Sequence, residues 1–140
     1  LQEIKGELWD FFGKPNKIIC ITTNGFVKKN GEAVMGRGCA AEAKLRIPQI
    51  AAMLGYHLTK HGNLPYRVPA APILTFPVKH NWWEEADLKL IRDSAKFLAS
   101  CDHSLTYILP RPGCGNGRLT WEQVKPVIEF LPDNVWVISR

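Results

Sequence analysis

The sequence predicts an α/β fold built on a mainly parallel sheet, and three observations carry that prediction. Lys17-Ile18-Ile19-Cys20-Ile21-Thr22-Thr23 is an unbroken β-branched run, the pattern of a strand buried on both faces. The order strand, glycine loop, helix occurs twice. Between those two units, strand-like and helix-like segments alternate, as a parallel sheet with crossover helices requires.

Taken in order, Gln2 to Gly6 reads as a short strand with Ile4 inward. The Gly13-Lys14-Pro15-Asn16 turn feeds the Lys17 to Thr23 strand, which Asn24-Gly25 ends. A polar segment leads into Met35-Gly36-Arg37-Gly38-Cys39-Ala40, a glycine loop entering a first helix whose small residues allow close approach to a neighbour or ligand. Ile47-Pro48 interrupts it. Ile50, Met53, Leu54 and Leu58 repeat with helical spacing and predict a second helix, closed by Gly62-Asn63. Ile73 to Phe76 is read as a strand that Pro77 limits. Leu88, Ile91, Ala95 and Leu98 mark one face of a helix over about 84–100. Ser104 to Leu109 is the strand that delivers the second glycine loop. Trp121, Val124, Ile128 and Leu131 form the face of a last helix, kinked by Pro126, and Asn134 to Ser139 closes the sheet.

The second loop, Pro110-Arg111-Pro112-Gly113-Cys114-Gly115-Asn116-Gly117-Arg118-Leu119, removes Cβ atoms on alternate residues and so permits positive φ and close backbone approach. Thr120-Trp121-Glu122-Gln123 after it is a capping box. A glycine loop at a helix N-terminus suits an anion, phosphate first; a glycine-rich turn without a ligand is the plain alternative. Two such loops on one edge suit a diphosphate better than a monophosphate.

Composition narrows the classes. A chain of 140 residues, 46% hydrophobic and 22% charged, buries a core without disulfides or a metal. No apolar run has the length of a membrane span, so no membrane partner and a cytoplasmic monomer are expected. The four cysteines, Cys20, Cys39, Cys101 and Cys114, have no zinc spacing and read as reduced. His57 and His61 stand four apart without a third ligand, the pattern of a solvated helix face, so no metal and no cofactor is expected. The net charge of +5 favours an anionic partner, although the basic residues are scattered. Trp82-Trp83 reads as a packing pair ahead of a base-stacking platform. Cys39 and Cys114 read as small packing residues, and Arg111 and Arg118 as phosphate partners or rim charges.

The order Lys5-Gly6-Glu7-Leu8, Ile21-Thr22-Thr23-Asn24, Met35 to Ala40 and Pro110 to Trp121 resembles the macro domain, an ADP-ribose-binding module, over nearly the whole chain. The resemblance implies a three-layer α/β/α fold with a mixed, mainly parallel sheet, a single domain over 1–140. It implies that Glu7, standing where Asp is usual, takes the adenine amino group with Leu8 beside it. Asn24 would hold a distal-ribose hydroxyl. Met35, Gly36, Arg37, Gly38, Cys39 and Ala40 would lie along the distal ribose and first phosphate. Pro112, Gly113, Cys114, Gly115, Asn116, Gly117 and Arg118 would wrap the diphosphate.

Within the family, two branches are similar: the antitoxins that remove ADP-ribose from DNA bases, and the terminal ADP-ribose glycohydrolases. Phe76-Pro77-Val78-Lys79 resembles the segment that carries their catalytic lysine, which makes Lys79 the candidate catalyst. Such a lysine needs a depressed pKa, from burial or from a cation such as Arg118 or His80. Ile21 replaces an asparagine of the hydrolytic branches, and Gly117 replaces the acid of the glycohydrolases, which points toward the antitoxin branch. The segment Phe26 to Val34, longer than in the antitoxins, would cover the distal ribose or reach a macromolecular partner. The implied function is hydrolytic removal of ADP-ribose from DNA or protein. The alternatives are an ADP-ribose 1''-phosphate phosphatase and a reader without chemistry.

Overall fold

Successive residues of the β-branched run face opposite ways, as the pleat of a strand requires. In the computed structural model, which describes residues 1–140, Ile18 and Cys20 join one hydrophobic cluster and Ile19 and Ile21 the other. This strand, β2 (Lys17–Asn24), lies inside a five-stranded sheet with β1 (Gln2–Lys5), β3 (Ile73–Lys79), β4 (Thr106–Pro110) and β5 (Val135–Ser139), in the order β1-β5-β4-β2-β3. Every pairing is parallel. The expected mixed sheet is therefore wholly parallel: each connection crosses back over a face of the sheet, and none is a hairpin that would add an antiparallel member.

Four helices cover the two faces. On one, α1 (Gly38–Arg46) and α2 (Ile50–His61) place Ala40, Ala43, Ile50, Ala51, Leu54 and Leu58 against Ile19, Ile21, Ile73 and Ile108. On the other, α3 (Leu88–Ala99) and α4 (Trp121–Ile128) bring Ile91, Ala95, Leu98, Val124 and Ile128 onto Phe76, Leu109 and Val137. This is the expected three-layer arrangement. No helix is long and apolar enough to cross a membrane.

Two expectations change at their edges. Pro77 does not limit β3; it lies within it, opposite Thr23. β3 is the outermost strand, so a residue without an N–H is tolerated there. The pairing shifts register at Thr23/Asn24, which sets Lys79 opposite Asn24. The last helix stops at Ile128 rather than reaching Leu131, in a stretch already short of one hydrogen bond at Pro126.

The topology also makes a crevice. From β2 the chain leaves over one face, through α1 and α2, to β3 on one side. From β4 it leaves over the opposite face, through α4, to β5 on the other side. Adjacent strands whose exits diverge open a cleft at their carboxyl ends, where ligands of parallel sheets bind.

Candidate functional site

A cleft of about 490 Å³ occupies that crevice. Its walls are the ends of β2, β3 and β4 (Thr22, Asn24, Val78, Lys79, Pro110), both glycine loops, and the ends of β1 and β5. Of the residues singled out in the sequence, Leu8, Asn24, Met35, Gly36, Arg37, Gly38, Cys39, Ala40, Lys79, Gly113, Gly115, Asn116 and Gly117 line it. Glu7, Pro112, Cys114 and Arg118 do not.

Glu7 is engaged elsewhere, its carboxylate accepting from Arg140 Nε at 2.9 Å. Arg140 itself lines the cleft, as do Gly6 and Ser139. These three were missed in the sequence, although the rule that ligands meet the carboxyl ends of parallel strands, applied to β1 and β5, points to them. Asn24 is half committed, its Nδ2 donating to Val34 O at 3.1 Å and its Oδ1 accepting from Phe26 N–H at 3.0 Å.

The two loops are built differently. Gly113 has φ +77°, and a Cβ there would lie 2.9 Å from Ile91 Cδ1 and 3.0 Å from Ala86 Cβ. A Cβ on Gly117 would lie 2.7 Å from Gly113 Cα and 2.8 Å from Ala86 Cβ. Both glycines are therefore demanded by packing, whereas Gly115 faces open space in the cleft. The positive φ expected along the loop occurs at Gly113 and at Arg118 (φ +65°), not at all three glycines. The capping box at α4 is present: Gln123 N–H donates to Thr120 Oγ1, and Thr120 N–H to Gln123 Oε1. Neither Thr120 nor Trp121 reaches the cleft.

The helix N-terminus that does face the cleft is that of α1. Its N-cap, Arg37, makes no side-chain cap, and the first hydrogen bond of the helix runs from Ala41 N–H to Arg37 O. The N–H groups of Gly38, Cys39 and Ala40 precede that bond, on residues that line the cleft, with the positive end of the helix dipole behind them. Gly38 has φ +59°, a conformation glycine takes without penalty.

Lys79 stands at the end of β3, its Nζ donating to Trp82 O at 3.3 Å. Burial, then the guanidinium groups of Arg118 and Arg37, hold its amine below the ordinary lysine range. Of the two cations suggested by the sequence, Arg118 acts on it from the rim, where it donates to Trp83 O at 3.3 Å. His80 instead pairs with Asp87, 2.7 Å away, the N-cap of α3.

Cys39 accepts from Thr22 N–H at 3.3 Å, and burial pushes its thiol up. Burial raises Cys114 as well. Both are held as protonated thiols, in keeping with packing roles.

Trp82 and Trp83 are not a core pair. They are 50% and 53% exposed, with ring centroids 5.4 Å apart, and Trp83 meets Phe26 edge to face. Trp82 forms part of the cleft wall. The segment Phe26 to Val34 does not lie over the cleft. Its tip folds onto α2, where Ala33 N–H donates to Ala51 O at 2.9 Å and a Cβ on Gly55 would overlap Gly31 O. Only its end, Val34, reaches the cleft wall.

No family model matches the chain, and no curated protein matches it by sequence. Solved structures do. Thermosipho africanus DarTG, determined in complex with ADP-ribose, aligns with a TM-score of 0.75 at 18% identity over 98% of this chain; the chain spans 41% of that one. The macrodomain of Thermus aquaticus DarG aligns at 0.74 and 27% identity, over 99% of this chain and 97% of its own. That of Mycobacterium tuberculosis DarG aligns at 0.74 and 24%, over 98% and 95%. With its parallel sheet, its paired glycine loops and this structural likeness, the chain has the macro-domain fold and is similar to the macrodomains of DarG.

Proposed function

We propose that the cleft binds ADP-ribose and that Lys79 removes it from a modified macromolecule. The observation that carries the reading is the place of Lys79. It is the strand-end amine that shares the cleft with both glycine loops, and its surroundings favour the neutral form a nucleophile needs. The uncapped N-terminus of α1 and the Gly115-Asn116 backbone supply donors for the diphosphate. In the reaction, the distal ribose opens and the Lys79 amine adds to its anomeric carbon. The carrier's nitrogen or oxygen departs with a proton, and water hydrolyses the imine, which frees ADP-ribose and returns the amine. The structure of DarTG in complex with ADP-ribose supports the ligand. Likeness to the DarG macrodomains, together with Gly117 in place of an acid, favours a DNA base over an acidic side chain as the carrier.

The test is to incubate ADP-ribosylated DNA and ADP-ribosylated protein with the wild-type chain and with Lys79→Ala. Turnover should fall by about 100-fold or more in the variant while ADP-ribose still binds in calorimetry. The wild-type rate should rise with pH as Lys79 loses its proton. Because its pKa is lowered, the midpoint should fall below the ordinary lysine value of about 10.4. A flat profile, or undiminished turnover by Lys79→Ala, rejects the lysine mechanism. Phosphate released from ADP-ribose 1''-phosphate by both proteins alike would replace it with the phosphatase reading.

One observation favours a second reading, a reader module. Glu42 is the sole carboxylate on the cleft wall, so few groups are present to relay a proton. Tight ADP-ribose binding with no wild-type turnover of either substrate would select it.

A further inference from the structure

The register between β2 and β3 breaks at Thr23/Asn24, so Lys79 pairs with Asn24 beyond the regular part of the ladder. What fixes the backbone at Lys79 is a clamp on its carbonyl. Gly25 N–H donates to it at 3.1 Å, and Asn63 Nδ2 donates to it at 2.9 Å from the loop after α2. Asn63 lines a separate cavity between α2 and α3, not the cleft.

Two features set this amide apart. It is packed hard against Gly25, where a Cβ would lie 2.8 Å from both Asn63 Cγ and Asn63 Nδ2. Gly25 is outside the left-handed region, so closeness to Asn63 and to the His80 carbonyl, rather than backbone conformation, excludes a side chain there. Second, Asn63 Oδ1 is buried with no donor in reach. Half of the amide is thus buried at a cost, and its single side-chain hydrogen bond goes to Lys79 O. An apolar residue of similar size would serve packing without that cost.

We propose that Asn63 is a positioning residue for Lys79: wedged against Gly25, its amide fixes the end of β3 and so the direction in which the Lys79 side chain enters the cleft. The proposal rests on the reading of Lys79 as the reacting amine. The clamp acts through the peptide group and leaves the ligand contacts of the cleft untouched.

The experiment compares the wild-type chain with Asn63→Ala, Gly25→Ala and the double variant. Each is assayed for ADP-ribose affinity by calorimetry and for kcat and KM on whichever ADP-ribosylated oligonucleotide or protein the wild type turns over. Asn63→Ala should lower kcat by about tenfold with KM and ADP-ribose affinity within about threefold. It should also move the rising limb of the pH–rate profile upward as the amine escapes its desolvated place. Gly25→Ala, which drives a Cβ into the amide, should reproduce that pattern. In the double variant the two losses should fall short of additivity, since the Cβ then has no amide to displace. Unchanged kcat, a loss confined to KM, or an unmoved pH limb would overturn the proposal, as would full additivity.

Reductive methylation of Lys79, followed by peptide mass mapping, reads the clamp without catalysis. Relative to the other lysines, labelling should slow in both single variants. If the wild type turns nothing over, the catalytic reading fails by itself. Slowed labelling then still upholds the positioning role, and unchanged labelling removes it.

Discussion

The two glycine loops look alike in sequence and are opposites in the fold. In the 113–117 loop, two of three glycines serve the protein: Gly113 and Gly117 are pressed against each other, Ala86 and Ile91, and the loop is closed by Leu119 N–H on Gly113 O at 2.9 Å. In the 35–40 loop, a Cβ on Gly36 would meet nothing, Gly38 opens α1, and the first residues of that helix, which has no side-chain cap, line the cleft. The helix with the well-formed cap, α4, presents no N-terminal residue to the cleft, while the uncapped α1 does. A capping box ties backbone donors to the protein itself; an anion site must leave them free.

The largest effect that would sharpen this contrast belongs to the packed glycines. Gly117→Ala and Gly113→Ala each force a methyl group into a filled space, and the second adds the strain of positive φ. Each should lose about 2–4 kcal/mol of unfolding free energy in urea titration. Losses under about 0.5 kcal/mol, the size of an ordinary surface change, would mean that the loop is slack and the contrast false.

Next is Gly115→Glu. The side chain enters open space in the cleft, so unfolding should shift by no more than about 0.5 kcal/mol. ADP-ribose affinity should nevertheless fall by about 100-fold or more, since bulk and negative charge then stand where phosphate is proposed to sit. Retained affinity would remove this loop from the site.

These two cases show where sequence reading succeeds and where it stops. The sheet was legible because Ile18 to Ile21 and Ile73 to Phe76 have no polar residue to turn outward, apart from a buried Thr75, and the helices because Leu88, Ile91, Ala95 and Leu98 repeat at helical spacing. The glycine loops were visible as loops. Which glycine packing demands was not, because Ala86 and Ile91 approach Gly113 only after α3 docks on the sheet. The same holds for Glu7, whose partner Arg140 lies 133 residues away, and for Asn63, whose tie to Lys79 depends on where the loop after α2 comes to rest. Pro77 misled because its tolerance depends on β3 being the edge strand, a property of sheet order.

Thr120→Ala tests the caps. Loss of the Thr120 oxygen should cost about 1 kcal/mol of stability and leave ADP-ribose affinity within about twofold. A tenfold weaker ligand would place the anion at α4 and reverse the assignment of the two helix ends.

The smallest effect, and the one with the opposite sign, is expected at Gly36. Its φ lies outside the left-handed region, and a Cβ there would find nothing within 4 Å. Alanine removes freedom from the unfolded chain without strain in the folded one, so Gly36→Ala should raise stability by about 0.4–1 kcal/mol. Gly36 nevertheless lines the cleft, and a methyl group on its wall would hold a ligand off the backbone. Calorimetry should therefore show ADP-ribose bound a few-fold more weakly by a chain that melts at a higher temperature. That divergence marks a glycine kept for a ligand rather than for the fold. If Gly36→Ala melts lower, the first loop is constrained in the same way as the second, and the two loops differ in degree only.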